Sequence, residues 1–196
     1  MSTEILDNYL NNNNGFYTIR DVQALGVSKG HAIQYANEAN LQKLSHGVYC
    51  SEDAWPDHLY VLQIRNKNIV FSHETALFLH GLSDRESFHP VVTVRRGYNA
   101  SHLKKENVKV HTVIADWFDI GITTVETTAG NTIKVYDKER CICDIIRNKK
   151  NMDIQVFTVA MNTYFRDRDK DIYKLSKYAS VFGIEDRVRQ YTEVLL

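Results

Sequence analysis

The sequence predicts an α+β protein, and three patterns predict it. Before residue 40, apolar residues recur at helical spacing in three short runs, and two apolar-rich strands about a glycine turn follow them. Between residues 90 and 136 the texture changes to short alternating segments separated by turn residues. From Asp137 helical periodicity returns and holds to the C-terminus.

In the first fifty residues, Ile5, Leu6, Tyr9 and Leu10 mark one helix, which the tract Asn11 to Gly15 (NNNNG) breaks. Thr18 and Asp21 make a capping-box-like start for a second, short helix carrying Ile19, Val22 and Leu25. Gly26 ends it, and Ser28 caps a third helix with Ala32, Ile33 and Ala36 inward. The stretch LQKLSHGVYC then forms two strands about a turn at His46-Gly47. Three helices and a hairpin, with a helix–Gly–helix step from Leu25 to Ser28, follow the order of a winged helix-turn-helix. CSEDAWPDH reads as a linker. The winged domain is therefore expected over residues 1–56, and a mixed α+β domain with a small sheet and C-terminal helices over 57–196.

In the second domain, DHLYVLQIRN and SHETALFLHGL are expected helices, the latter capped by Ser72 and ended by Gly81. A strand over Pro90 to Val94 runs into a basic loop, Arg95-Arg96-Gly97. NVKVHTV, ITTVET and NTIKVYD are three more strands, the last two joined at Ala129-Gly130-Asn131. Ile142, Ile145 and Ile146 share one helical face, and Ile154, Phe157, Met161, Tyr164 and Phe165 share the next. Ile172, Leu175, Ala179 and Phe182 form a third face, and Val188, Tyr191 and Leu195 close the chain. No internal repeat is visible.

The segment SHETALFLHGL resembles a metal helix at first sight. A zinc-protease helix needs H-E-x-x-H, because ligands four apart face the same way. Leu77 stands where the second histidine belongs, and His80 lies seven residues beyond His73. That is a rise of roughly 10 Å, too far for both rings to reach one ion at ~2.1 Å. His73, Ala76, Leu77 and His80 read instead as a packing face, and no metal is expected.

Lysine plus arginine number 24 against 24 aspartate plus glutamate, so net charge points to neither a nucleic acid nor a membrane. There is no secretory signal pattern and no apolar run of about 18 residues. Cys50, Cys141 and Cys143 are an odd count without C-x-x-C spacing, so a cytoplasmic protein is expected, and Cys141 and Cys143 read as buried small hydrophobes. Arg140 and Asp144 are spaced for an i,i+4 ion pair rather than for catalysis. No nucleophile has an evident base partner and no phosphate-cradling loop appears, so neither an enzyme nor a cofactor is expected.

In a winged helix the third helix enters the major groove. Its outward candidates for reading bases are Lys29, His31, Gln34, Tyr35 and Asn37, since Gln and Asn pair with adenine edges and Lys with guanine. Arg20, Lys43 and His46 are candidates for phosphate contact. Residues 1–50 hold only three Lys/Arg (Arg20, Lys29, Lys43) against four acids, a thin supply for DNA. Arg65, Lys67, Arg95, Arg96, Lys104, Lys105 and Lys109 are therefore expected to add phosphate contacts.

The module ending in HGVY, then SHETALFLHGLSD, VTVRRGYN and DKERCICDII, together resemble the AbiEi family, over about residues 3–196. Its members are antitoxins of bacterial abortive-infection toxin–antitoxin operons. The resemblance implies a winged-helix autorepressor that binds inverted-repeat promoter DNA and neutralises a nucleotidyltransferase-like toxin, directly or functionally, through its C-terminal domain. It also implies a monomer in solution with two copies on DNA, and scaffold roles for His73, Glu74 and His80. The competing expectations are a stand-alone winged-helix regulator with an effector- or protein-binding second domain, and a nuclease.

Overall fold

The computed structural model describes residues 2–196. They divide into two compact units: residues 2–67 with Glu126–Ile133, and Asn68–Val125 with Lys134–Leu196. Among the described residues no helix is long and apolar enough to cross a membrane.

The first unit runs α1 (Ser2–Asn12), β1 (Phe16–Thr18), α2 (Ile19–Ala24), α3 (Lys29–Glu38), β2 (Gln42–Ser45), β3 (Val48–Cys50) and α4 (His58–Arg65). Both expected caps form: Thr18 accepts from the Asp21 amide, and Ser28 from the His31 amide. Strand β1 has no signature in the sequence. It exists because Phe16, Tyr17 and Thr18 pair with Cys50, Tyr49 and Val48 of β3, in an antiparallel sheet of order β1-β3-β2. Leu6, Tyr17, Val22, Ala32 and Ala36 fill the core between helices and sheet.

Two apolar expectations fail here. Leu25 is 52% exposed and Ile33 36% exposed. The place assigned to Ile33 is taken by Tyr35, whose ring packs 5.5 Å from that of Tyr17. Tyr35 completes the inward face at Ala32, Tyr35 and Ala36, which is helical i, i+3, i+4 spacing.

The α4 segment belongs to this unit. Its N-cap, Asp57, accepts from the Tyr60 amide through Oδ1 and from Thr127 Oγ1 and Asn131 Nδ2 through Oδ2. Asn14 Nδ2 donates to Asn131 Oδ1 and to the Gly130 carbonyl. A short piece from late in the chain thus completes the polar contacts of the first unit.

The second unit carries a sheet of order β6-β5-β4-β8-β7, built from β4 (Val70–Phe71), β5 (Val91–Arg95), β6 (Lys109–Val113), β7 (Ile122–Glu126) and β8 (Thr132–Tyr136). Strand β4 is not expected from the sequence; at two residues it shows no alternation, and its antiparallel pairing with β5 and parallel pairing with β8 define it. Strands β5 and β6 are parallel, so a crossover must join them, and it contains α6 (Ser101–Lys105). The remaining helices are α5 (His73–Leu79), α7 (Ala115–Phe118), α8 (Lys138–Asn148), α9 (Ile154–Arg166), α10 (Ile172–Val181) and α11 (Glu185–Leu195).

Helix α8 is the centre of this unit, packed against α5, α9, α10 and α11. Its sequence suggests one apolar face, yet every residue from Glu139 to Ile146 is buried. Ile154, expected inward on α9, is 61% exposed, while Phe157, Met161, Tyr164 and Phe165 are buried as expected. Ser72 occupies the N-cap position of α5 but makes no capping bond. Its hydroxyl oxygen instead accepts from Thr93 Oγ1 at 2.9 Å.

Candidate nucleic-acid interface

Helix α3 is presented by a tight step. Gly26, at φ +87°, lets the chain leave α2 in a conformation costly for other residues, and its amide bonds the Gln23 carbonyl. Val27 anchors the step in the core. Of the five base-reading candidates, Lys29, Gln34 and Asn37 are exposed and His31 is half-buried. Gln34 is engaged along its own helix, with Nε2 donating to Glu38 Oε1 at 2.8 Å.

Tyr35 does not face outward. It is 5% exposed and its hydroxyl donates to Asp7 Oδ1 of α1. Burial, reinforced by that carboxylate, pushes its ionisation well above the ordinary tyrosine value. Tyr35 therefore pins α3 to α1 and leaves the set of surface candidates.

The β2–β3 hairpin exposes Lys43 and His46, together with Leu44, which sits where the β2–β3 register slips. Arg20 is otherwise occupied: Nη2 donates to the Ile64 carbonyl at 2.7 Å. Lys67 Nζ lies 2.5 Å from Asp21 Oδ1. Burial works to raise the Asp21 carboxyl, but the Lys67 and Thr18 hydrogen bonds prevail and hold it below the usual value. Arg65 is exposed at the last turn of α4.

In the second unit the basic candidates split in two. Arg95 Nη2 reaches both Asp119 oxygens, at 2.7 and 2.6 Å, and its guanidinium lies over Phe118. Lys109 pairs with Glu74 at 2.8 Å. Arg96, Lys104 and Lys105 are exposed and have no ion-pair partner among the described residues, and the same holds for Lys43 in the first unit. The cations open to an external anion are thus fewer than the sequence offers.

In the segment with two histidines, His73 is buried and His80 is half-buried. His73 is 6% exposed, sits at φ +47°, and stacks on His111 with centroids 3.7 Å apart and planes at 12°. Ser72 Oγ lies 3.1 Å from its Nδ1. His80 Nε2 donates to the Tyr136 carbonyl at 2.7 Å. Burial lowers the basicity of all three histidines, most strongly for His73, where His111 adds to the effect. The two histidines of the segment thus serve separate local contacts.

Arg140 and Asp144 form the expected pair, with Nε 2.9 Å from Oδ2 and the arginine fully buried. The guanidinium lies between the Tyr136 and Phe182 rings, and Nη1 donates to the carbonyls of Trp117 and Ile120. That clamp requires a glycine at position 121, where a Cβ would come 2.8 Å from Arg140 Cβ. Burial raises the Asp144 carboxyl, with the Arg140 charge opposing it. The geometry is that of a scaffold, because every strong contact is internal.

The Asp57–Thr127–Asn131 contacts and the His73–His111 stack are invisible in the sequence. Their partners lie far apart along the chain, and no local spacing announces them.

No protein-family model matches this chain, and no curated protein matches it. Among solved structures it is similar to the crystal structure of RV2827C protein from Mycobacterium tuberculosis, with a TM-score of 0.61 at 13% identity. The likeness covers 96% of this chain and 75% of that one. At such identity the likeness concerns the fold.

Proposed function

We propose that this chain is a DNA-binding antitoxin of the AbiEi type. In this reading the first unit is a winged helix-turn-helix that represses its own operon at an inverted repeat, and the rest of the chain counters a nucleotidyltransferase-like toxin. The observation that carries the DNA reading is the order α1-β1-α2-α3-β2-β3, with α3 reached through the Gly26 step and Lys29, Gln34 and Asn37 exposed on it. Lys43 on the hairpin, with Arg96, Lys104 and Lys105 of the second unit, supplies phosphate neutralisation.

The test is binding of the chain to duplex DNA from its own promoter, measured against salt and against scrambled duplex. Gln34→Ala should weaken binding by ~1–3 kcal/mol at particular base pairs. Replacing Arg96, Lys104 and Lys105 together with alanine should weaken all duplexes alike and flatten the salt slope by roughly 0.9 for each phosphate that is no longer neutralised. Absence of any preference for promoter over scrambled duplex would overturn the repressor reading. Failure of co-expression to rescue growth from the neighbouring gene product would overturn the antitoxin reading.

A further inference from the structure

Helix α9 has an outer face that the interior does not use. Ile154, Thr158, Val159, Asn162 and Arg166 fall within one side of the helix, at offsets of 4, 5, 8 and 12 residues. Ile154 is 61% and Val159 38% exposed on a helix whose opposite side is fully packed. Two cavities of about 400 and 540 Å³ lie along this face and share Val159 as a wall. The segment from His80 to Arg85 lines their other side.

The two cavities differ in character. The first is mostly apolar, lined by Ile154, Val156 and Val159 together with Asp84 and Arg85. The second is polar, with His80, Asn162, Thr163, Arg166 and Asp167. Asp167 is already neutralised by Lys138. The Nε2–H of His80 is committed to the Tyr136 carbonyl, and burial lowers the basicity of that ring. Arg166 is exposed and has no ion-pair partner among the described residues. The polar end of the groove therefore offers one uncompensated positive charge, and the other end an apolar slot.

We infer that this groove docks a peptide segment of a protein partner, carrying an apolar side chain for the Ile154–Val159 slot and an acidic side chain for Arg166. The rise of α9 sets those two anchors roughly 10–18 Å apart. An open groove of that length suits a peptide laid along a helix better than a small molecule, which a pocket would enclose on most sides. A buried apolar anchor supplies affinity, and the arginine pairing a carboxylate supplies direction. The inference stands whether or not the chain binds DNA, and its test does not involve DNA.

The experiment is selection of a random 12-residue phage-displayed peptide library on the full chain, with the Val159→Asp protein as counter-selection. Enrichment of sequences pairing an apolar with an acidic residue is expected. A fluorescein-labelled peptide of that consensus should bind the native chain and lose about tenfold or more on Val159→Asp and on Arg166→Glu. Replacing the acid of the peptide with lysine should restore binding to Arg166→Glu alone. Both positions are exposed, and matching thermal unfolding of the variants would show that the fold is intact. No enriched consensus, or binding indifferent to both substitutions, overturns the inference. A concentration-dependent dimer abolished by Val159→Asp would assign the groove to a second copy of the chain and overturn it equally.

Discussion

Helices α3 and α8 are of nearly equal length, 10 and 11 residues, and both carry charged side chains, yet they treat them in opposite ways. On α3, Lys29, Gln34, Asn37 and Glu38 are exposed, with Gln34 donating to Glu38 along the helix. On α8, Glu139, Arg140 and Asp144 are all buried, and each is held by partners on other elements or on its own helix. Lys174 bridges Asp137 and Glu139 at 3.0 Å to each, which raises its own ionisation well above the ordinary lysine value against the opposing effect of burial. A charged helix with its partners supplied internally is scaffold. One without them is a surface that something else can read.

The largest expected effect follows from that contrast. Arg140→Ala removes the 2.9 Å partner of the buried Asp144 carboxylate, leaves it the longer 3.6 Å contact to Arg147, and frees the Trp117–Gly121 turn, so urea unfolding should show a loss of ~3 kcal/mol. Replacing both members, Arg140→Met with Asp144→Leu, should recover much of the loss, because a paired charge exchanged for apolar packing is often neutral. Gln34→Ala on α3 should change stability by less than ~0.5 kcal/mol. Equal losses at Gln34 and Arg140 would erase the distinction between the two helices.

Asp57 extends the comparison to the first unit, where a buried carboxylate also gathers internal donors. Asp57→Ala removes a helix cap and leaves Thr127 and Asn131 without their acceptor. A loss of about 2 kcal/mol is expected, with faster amide exchange at Tyr60. A stability within about 0.5 kcal/mol of wild type would show that the Asp57 contacts to Tyr60, Thr127 and Asn131 contribute nothing net to this unit.

A further effect is one of pH. His73, His80 and His111 all have lowered basicity in the folded chain, for which burial is the first cause. For His111 the Lys109 charge adds to burial, and Glu74 and Asp144 oppose it. The unfolded chain takes up protons near the ordinary value of about 6.5, whereas the folded chain resists them. Stability is therefore fully present above about pH 6.5 and falls as pH drops below it, by up to about 1.4 kcal/mol per pH unit for each proton. His111→Phe keeps an aromatic ring in strand β6 and removes one of these groups. Its unfolding free energy should fall less steeply between about pH 6.5 and 5 than that of the native chain; identical slopes would mean that His111 titrates freely in the folded state.

The candidate interface was only partly legible. Lys29, Gln34 and Asn37 could be placed outward by helical spacing alone, but Tyr35 could not be placed inward. Its ring can pack and its hydroxyl can reach either water or a carboxylate, and only Asp7, 28 residues earlier, settles which. The same holds for the cations. Arg95 and Lys109 read as free charges until Asp119 and Glu74, 24 and 35 residues away, are brought beside them.

The α+β class, the caps at Thr18 and Ser28, the Gly26 step, four of the five strands of the larger sheet and the Arg140–Asp144 pair were determined by the sequence itself. Each rests on interactions within a few residues, so the spacing of side chains records it. Strands β1 and β4, the burial of α8 on every side, the exposure of Ile154, the stacked histidines and the donors around Asp57 were decided only by the tertiary structure. They depend on which distant segments meet, and a two- or three-residue strand or a lone buried carboxylate carries no periodicity that could name its partner.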